Sequence, residues 1–492
     1  MFPTVAPDTA VAAPLTQTIM YVGGFGASAE TTMNRRQFIQ AAALSGTAGL
    51  AGCIGGSSDS NSSGSSGTTT LEYWEYFHSQ SEVAKTLMES SVEEFQSETD
   101  TQMQMNWASW NDINGGKWKN NIQNGNRPVI YDSTNSLDGQ FIEPGWVKPV
   151  SEYKDRLDDE AVEQLEWAFE MTQSCYRGFD EGLYEIPIGL EVGAPFIART
   201  DHFEEAGLSI EDDFPPENYE HLVQVATQLQ EQGPADYGFQ IYGAQGDVTD
   251  EALVTWTASE GGYDGMYLNE DWSDVNYDND VWKEMTKKYV DLYQEHGLSS
   301  DKAPTASNEG AAQMLIQGNV SMVQGSTKDF GLLRSRAEDM LADGTIVFGP
   351  SWEGAAGNRG DFFTQCIALM RKPDGVDEDT WQQREDAAIE WINTVLSKEF
   401  QQEVPRSLAT LPARKDVWPT LKEDELLSQS NFISTLETTV DGMEHGWSSH
   451  PGMNAIQYNI AGPLFQEAVR GEISAEEACD RAATEIRNQV TF

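Results

Sequence analysis

The residue types that most often hold metals or act as nucleophiles are sparse in this chain of 492 residues. The six histidines (78, 202, 221, 296, 445 and 450) show no ligand spacing, and no HExxH, serine-nucleophile elbow or phosphate-binding glycine loop occurs. Cys175, Cys366 and Cys479 lie far apart in apolar or helical contexts, which suits packing better than metal binding. Carboxylates are the opposite case: 80 Asp and Glu face 30 Lys and Arg, for a formal charge of −50. Hydrolysis of a glycosidic bond needs two acids at about 5–5.5 or 6.5–9.5 Å, and among so many acids a pair in the sequence carries no weight. The run Asp274-Val275-Asn276-Tyr277-Asp278-Asn279-Asp280 comes nearest to a calcium loop. It lacks Gly at its sixth position and has Met285 at the twelfth, so it reads as a turn leading into a helix cap. No catalytic residue, metal or cofactor is expected.

The excess acid is spread along the chain, as in Asp158-Asp159-Glu160, Asp377-Glu378-Asp379 and Glu423-Asp424-Glu425, and so describes a whole surface. Such a field repels phosphate backbones and excludes nucleic acid as a partner. In dilute buffer these charges oppose compaction; at molar salt the screening length falls to about 3 Å and the repulsion largely disappears. A halophilic protein is expected. With 39% hydrophobic and 10% aromatic residues the chain still folds, and its length calls for two lobes.

The one cysteine with a chemical context is Cys53. Asn34-Arg35-Arg36-Gln37-Phe38-Ile39, a short apolar stretch from Ala41 to Gly49, and Leu50-Ala51-Gly52-Cys53 resemble a twin-arginine export signal (33–53) ending in a lipobox, with Cys53 as the lipid-anchor residue. The stretch is too short to remain as a spanning helix, which needs about 20 apolar residues. Residues 1–32 carry no Lys or Arg and read as a non-native upstream extension, with translation starting at Met33. Residues 54–70 form a Gly/Ser-rich tether with a reach of roughly 20 to 25 Å. The mature protein is expected on the outer face of the cell membrane, held by lipid.

Period-2 and period-3.6 patterns then mark the elements. Leu71 to Phe77, Met103 to Trp107, Arg127 to Tyr131, Tyr237 to Tyr242, Val320 to Gln324, Thr345 to Phe348 and Cys366 to Met370 read as strands. Helices are expected over Glu82–Thr99 (inward face Val83, Leu87, Ser91, Phe95), Tyr219–Gln232, Asp280–His296, Trp381–Leu396 and Ala475–Val490. Strand, helix, strand in succession implies parallel α/β packing.

Several segments share a characteristic wording: Gly182-Leu183-Tyr184-Glu185-Ile186-Pro187-Ile188, Glu191, and Phe196-Ile197-Ala198-Arg199-Thr200-Asp201 through Gly207-Leu208 form one run. Pro216 to Leu222, Gly261-Gly262 with Val275 to Asp278, Glu309 to Gly325, Ala387 to Glu399 and Leu411-Pro412-Ala413 follow it in order. In wording and order these segments resemble the extracellular solute-binding proteins of ABC importers, maltose-binding type, and the resemblance spans Leu71 to near Phe492. It implies an α/β, two-lobe periplasmic-binding-protein-like fold of type II with hinge crossings near Glu191–Phe196, Gly360–Phe363 and Pro405–Leu411. The N-terminal lobe is then 71–191 plus 362–405, and the C-terminal lobe 192–361 plus 406–492.

The resemblance also implies a function: capture of an extracellular sugar or oligosaccharide and its delivery to a membrane permease, without catalysis. A sugar needs aromatic platforms for its ring face and polar side chains for its hydroxyls. Family positions facing the crevice fall on His78, Ser79, Asp132, Ser133, Asn135 and Glu191 on one side, and on Trp256, Trp352, Asp361 and Trp447 on the other. After Gly325 the maltose-binding pattern has a Trp where this chain has Ser326-Thr327, which removes one platform and argues against a long maltodextrin. Arg359, beside Gly360-Asp361, keeps an acidic solute open. The alternatives are a binding protein for a polyol, glycerol phosphate or organic acid, a secreted carbohydrate-acting enzyme, and a lipid-anchored adhesion protein.

The charge reading makes a direct prediction. Circular dichroism is expected to show cooperative unfolding in molar KCl and partial loss of structure in dilute buffer; equal stability in the two contradicts the halophilic assignment.

Overall fold

The computed structural model describes residues 68–109, 112–113, 116–179, 182–245, 247–249, 251–357, 362–442 and 448–492. The signal, Cys53, most of the tether, Arg359, Asp361 and Trp447 lie outside them. No helix among the described residues is long and apolar enough to cross a membrane.

Nine strands run through the described chain: β1 (Thr69–Glu75), β2 (Thr101–Trp107), β3 (Ile130–Ser133), β4 (Ile186–Arg199), β5 (Tyr237–Gln240), β6 (Val320–Ser326), β7 (Ile346–Gly349), β8 (Phe362–Leu369) and β9 (Leu411–Pro412). The seven strands expected from the sequence are all present; β4 and β9 were not marked by periodicity. β4 is apolar on both faces, buried at every position except its partly buried Glu191 and Arg199, so no alternation betrays it.

The helices follow the apolar stripes, with one shift of phase. In Glu82–Glu98 the buried face is Ala84, Met88, Val92 and Phe95, while Val83 is 53% exposed. A strict four-residue spacing drifts about 40° per step around a helix of 3.6 residues per turn, so the stripe that begins at Val83 starts on the solvent side and reaches the core only at Phe95. Elsewhere the expected faces are inside: Leu222, Val225, Ala226 and Leu229 in Tyr219–Gln232, and Ala388, Trp391, Ile392 and Val395 in Glu378–Val395. Trp391 from the latter packs edge-on against Tyr73 of β1 and Phe95, which joins two helices to the sheet. The acidic loop before Asp280–Gln294 is a cap: Asn279 accepts from the Trp282 amide at 3.0 Å, and Asp274 and Asp278 both bind Arg487. Cys175, Cys366 and Cys479 are all buried.

The strand order is β2-β1-β3-β8-β4-β6-β5, with β7 and β9 also paired to β4. β1 lies parallel to β2 and β3, and β5 parallel to β6; the pairs β3–β8, β4–β8, β4–β6 and β4–β7 are antiparallel. The first half of β4, Ile186 to Val192, pairs with β8, and its second half, from Gly193, pairs with β6 and β7. Between the halves the register shifts, and Ala194 takes φ 54° in the left-handed region. β4 is thus a strand that leaves one sheet and enters another. The chain stays with the first sheet later than Pro405–Leu411. β9 at Leu411–Pro412 still pairs with Leu190 and Gly189, and Trp418 packs edge-on against Trp167.

The strained residue gives a test. A left-handed φ costs a non-glycine residue about 1–3 kcal/mol and more when the side chain is β-branched. Ala194→Gly is expected to keep or raise stability, and Ala194→Val to lower it by about 1–3 kcal/mol in chemical denaturation at molar salt. Equal values for the two variants contradict strain at this position.

Candidate ligand site

Glu191 projects from β4 just before the strand changes partners, and its side chain is 13% exposed. Its Oε1 accepts from the Ser326 hydroxyl at 2.5 Å and lies 3.7 Å from Lys328 Nζ. Register explains the first contact, since Gly193 faces Ser326 across β4 and β6. Lys328, 48% exposed, also reaches Glu251 Oε1 at 2.5 Å, and Glu251 Oε2 accepts from Asn308 Nδ2 at 2.5 Å. Asp329 accepts from the Ser326 amide at 2.9 Å. One half-exposed ammonium thus sits among three carboxylates and a hydroxyl. Burial drives the Glu251 carboxyl up to about 7 despite the neighbouring lysine, and Asp329 rises to about 7 for the same reason.

A second polar group lies at the carboxyl ends of β1 and β3. Asp132 accepts from the Tyr73 hydroxyl and from the amides of Tyr76 at 2.8 Å and Phe77 at 3.0 Å, which shapes the turn after β1. Glu75 Oε1 accepts from the His78 amide at 2.5 Å and lies 2.7 Å from His78 Nδ1. Burial lowers His78 to about 4, leaving its ring neutral, and raises Glu75 to about 7 and Asp132 well above the carboxylate range. Beneath them, the Ser133 hydroxyl contacts both Asp138 and Glu185, and Thr364 donates to Glu185 at 2.6 Å. Burial pushes both of these carboxyls up.

Residues 79–402 match the family model described as bacterial extracellular solute-binding protein. The chain belongs to this family. Solved structures share the fold. The maltose-bound MalE3 of T. maritima superposes with a TM-score of 0.67 at 16% identity, over 86% of this chain and 100% of that one. The GacH receptor of Streptomyces glaucescens, solved unliganded and with acarbose, gives 0.67 at 17% identity, over 85% and 97%. A solute-binding protein of Thermotoga lettingae bound to alpha-D-tagatose gives 0.65 at 18% identity, over 85% and 99%. The architecture of this solute-binding protein is therefore the two-lobe, maltose-binding type, and β4 is a strand joining its lobes.

Within that frame the residues singled out from sequence separate into groups. Glu191 stands where β4 changes partners, with its side chain partly exposed. His78, Asp132, Ser133 and Asn135 are buried, and the first three are engaged with other polar side chains of their own lobe. Trp256 and Trp352 are buried against each other, with ring centroids 4.5 Å apart and planes 40° apart. Trp256 Nε1 donates to Gln324, whose amide donates to the Ala194 carbonyl at 2.8 Å and to Ser351 at 3.0 Å. In this conformation the indole pair braces the strained crossing, and Trp352 also lines a depression of about 530 Å³ together with Pro215, Pro216 and Asn218. Asp361 and Trp447 fall outside the described residues. Sequence reasoning missed Glu251, Asn308, Lys328 and Asp329. Lys328 and Asp329 directly follow the Ser326-Thr327 departure and could have been found there; Glu251 and Asn308 carry no local signal.

The raised carboxyls set a pH dependence. Glu251 keeps its proton up to about pH 7 when folded and loses it near 4.5 when unfolded. The folded state binds more protons between those values, so its contribution to stability falls as pH rises from about 4.5 to 7 and is level above. Neutral His78 contributes the opposite slope, so the readable quantity is a difference between proteins. In molar KCl the melting temperature of Glu251→Gln minus that of the unmodified chain is expected to increase from pH 5 to pH 8. A constant difference contradicts a buried, proton-holding Glu251.

Proposed function

We propose that this protein is the solute-binding component of an ABC importer, capturing an extracellular sugar or short oligosaccharide and handing it unaltered to a membrane permease. The supporting observation is the bridge from Glu191 on β4 to Ser326 and Lys328 at the end of β6. A carboxylate, a hydroxyl and an ammonium offer acceptors and donors that solute hydroxyls can replace one for one, so binding exchanges hydrogen bonds without stranding a charge. Because Lys328 already lies 3.7 Å from the Glu191 carboxylate, its charge is offset, which favours a neutral polyhydroxylated solute over a phosphate or carboxylate. The strained bend at Ala194 lies next to this bridge, where lobe rotation about β4 would open and close the crevice. Of the earlier candidates, Glu191 is the principal ligand-binding residue in this reading. His78, Asp132 and Ser133 shape the crevice floor, Trp352 supplies an apolar edge, Trp256 supports it, and Asp361 and Trp447 are further ligand-binding candidates. Anchoring through Cys53 by lipid keeps the protein at the outer membrane face, where the acidic surface suits high salt.

A thermal-shift screen at molar salt with mono- and oligosaccharides, polyols and glycerol phosphates tests this, because a ligand that binds only the folded state raises the melting temperature. A neutral sugar is expected to give the largest shift, to be recovered intact, and to bind at least about tenfold more weakly to Glu191→Ala. A phosphate as the best ligand, turnover of the sugar, or unchanged affinity of the variant each contradicts the reading.

A further inference from the structure

The pattern of charge at the ends of β1 and β3 carries a different implication. Parallel pairing sets Tyr73 level with Ile130 and Trp74 level with Tyr131, so the register continues to place Glu75, the last residue of β1, beside Asp132 of β3. His78 follows one turn later. All three are excluded from solvent, at 0%, 0% and 1% exposure. One ligand atom from each lies within 4.8 Å of the other two. Glu75 Oε2 and His78 Nε2 are buried without a hydrogen-bond partner, and among the described residues no lysine or arginine pairs with either carboxylate. Two carboxylates taken out of water without a cation are strongly unfavourable, and buried charges are ordinarily paired or bound to metal.

We propose that Glu75, His78 and Asp132 form a binding site for a divalent transition-metal ion of the zinc class. The donor set selects the ion: one imidazole and two carboxylates suit zinc and its neighbours, whereas calcium wants six to eight oxygens and magnesium retains its waters. The ion takes the place of the proton between His78 Nδ1 and Glu75 Oε1, and Asp132 closes the set after a small contraction; the protons displaced from this pair and from the Asp132 carboxyl pass to solvent as the ion binds. The groups that orient the ligands are already in position: the Tyr73 hydroxyl and the Tyr76 and Phe77 amides on Asp132, and the His78 amide on Glu75. Because the site is closed to solvent, the ion is taken up as the chain folds, which ties the metal to stability of the first lobe. This inference does not depend on which solute occupies the crevice.

The experiment is refolding of the full chain from denaturant and chelator at molar salt, with zinc present and magnesium in excess to occupy surface carboxylates, followed by dialysis and metal analysis. The unmodified chain and the surface control Asp158→Asn are expected to retain about one zinc each, and Glu75→Gln and His78→Asn to retain at least about tenfold less. Refolding with cobalt supplies a second reading that is independent of variant folding: a visible absorption band from a low-symmetry site in the unmodified chain, with free cobalt in the same buffer as reference. Zinc retained equally by all four proteins, or no retained zinc and a free-ion cobalt spectrum in the unmodified chain, overturns the proposal and leaves the cluster neutralised by protons.

Discussion

A single strand that must satisfy the hydrogen bonds of two sheets constrains everything around it. β4 does so by pairing with β8 up to Val192 and with β6 and β7 from Gly193, and the change of partner demands a register shift and a left-handed residue at Ala194. Backbone groups freed at such a point must find other partners. Gln324 meets that need at the Ala194 carbonyl while holding Trp256 and Ser351, so the indole pair and the bend are one mechanical unit. The side chains that flank the bend, Glu191 on one side and Ser326 and Lys328 on the other, are brought together by the same pairing.

The chain deals with its excess of acid in two ways. Surface carboxylates face solvent, where dissolved ions screen their repulsion, or pair with nearby cations, as Asp274 and Asp278 do with Arg487. Buried ones are each given specific partners: hydroxyl and amides for Asp132, hydroxyls for Glu185, lysine and asparagine for Glu251, an amide for Asp329. Desolvation raises every one of these carboxyls, so the interior of this very acidic protein is kept near neutrality by protons, hydrogen bonds and, at the end of β1, a proposed metal ion.

Much of the fold was legible before any coordinates. Stripes such as Leu222, Val225, Ala226 and Leu229 are local patterns, and a helix long enough to repeat them declares itself. The family was legible for a related reason, since its segments keep their order and local wording from Gly182 to Ala413. What failed was whatever lacked a local pattern. β4 shows no alternation, Leu411-Pro412 is too short to have one, and the helix at Glu82 was read out of phase by one position.

The chain's sequence alone determined its acidity, the helices and strands that carry an apolar period, and its family, because each of these is written in residues close together. Only the tertiary structure decided which polar groups meet. Glu191 and Lys328 are joined by strand crossing, Glu75 and Asp132 by parallel register, and Trp256 and Trp352 by burial against one another. Contacts between residues far apart in the chain depend on pairing and burial, which composition and spacing do not encode, and the same indole can therefore be a platform or a brace until the fold settles which.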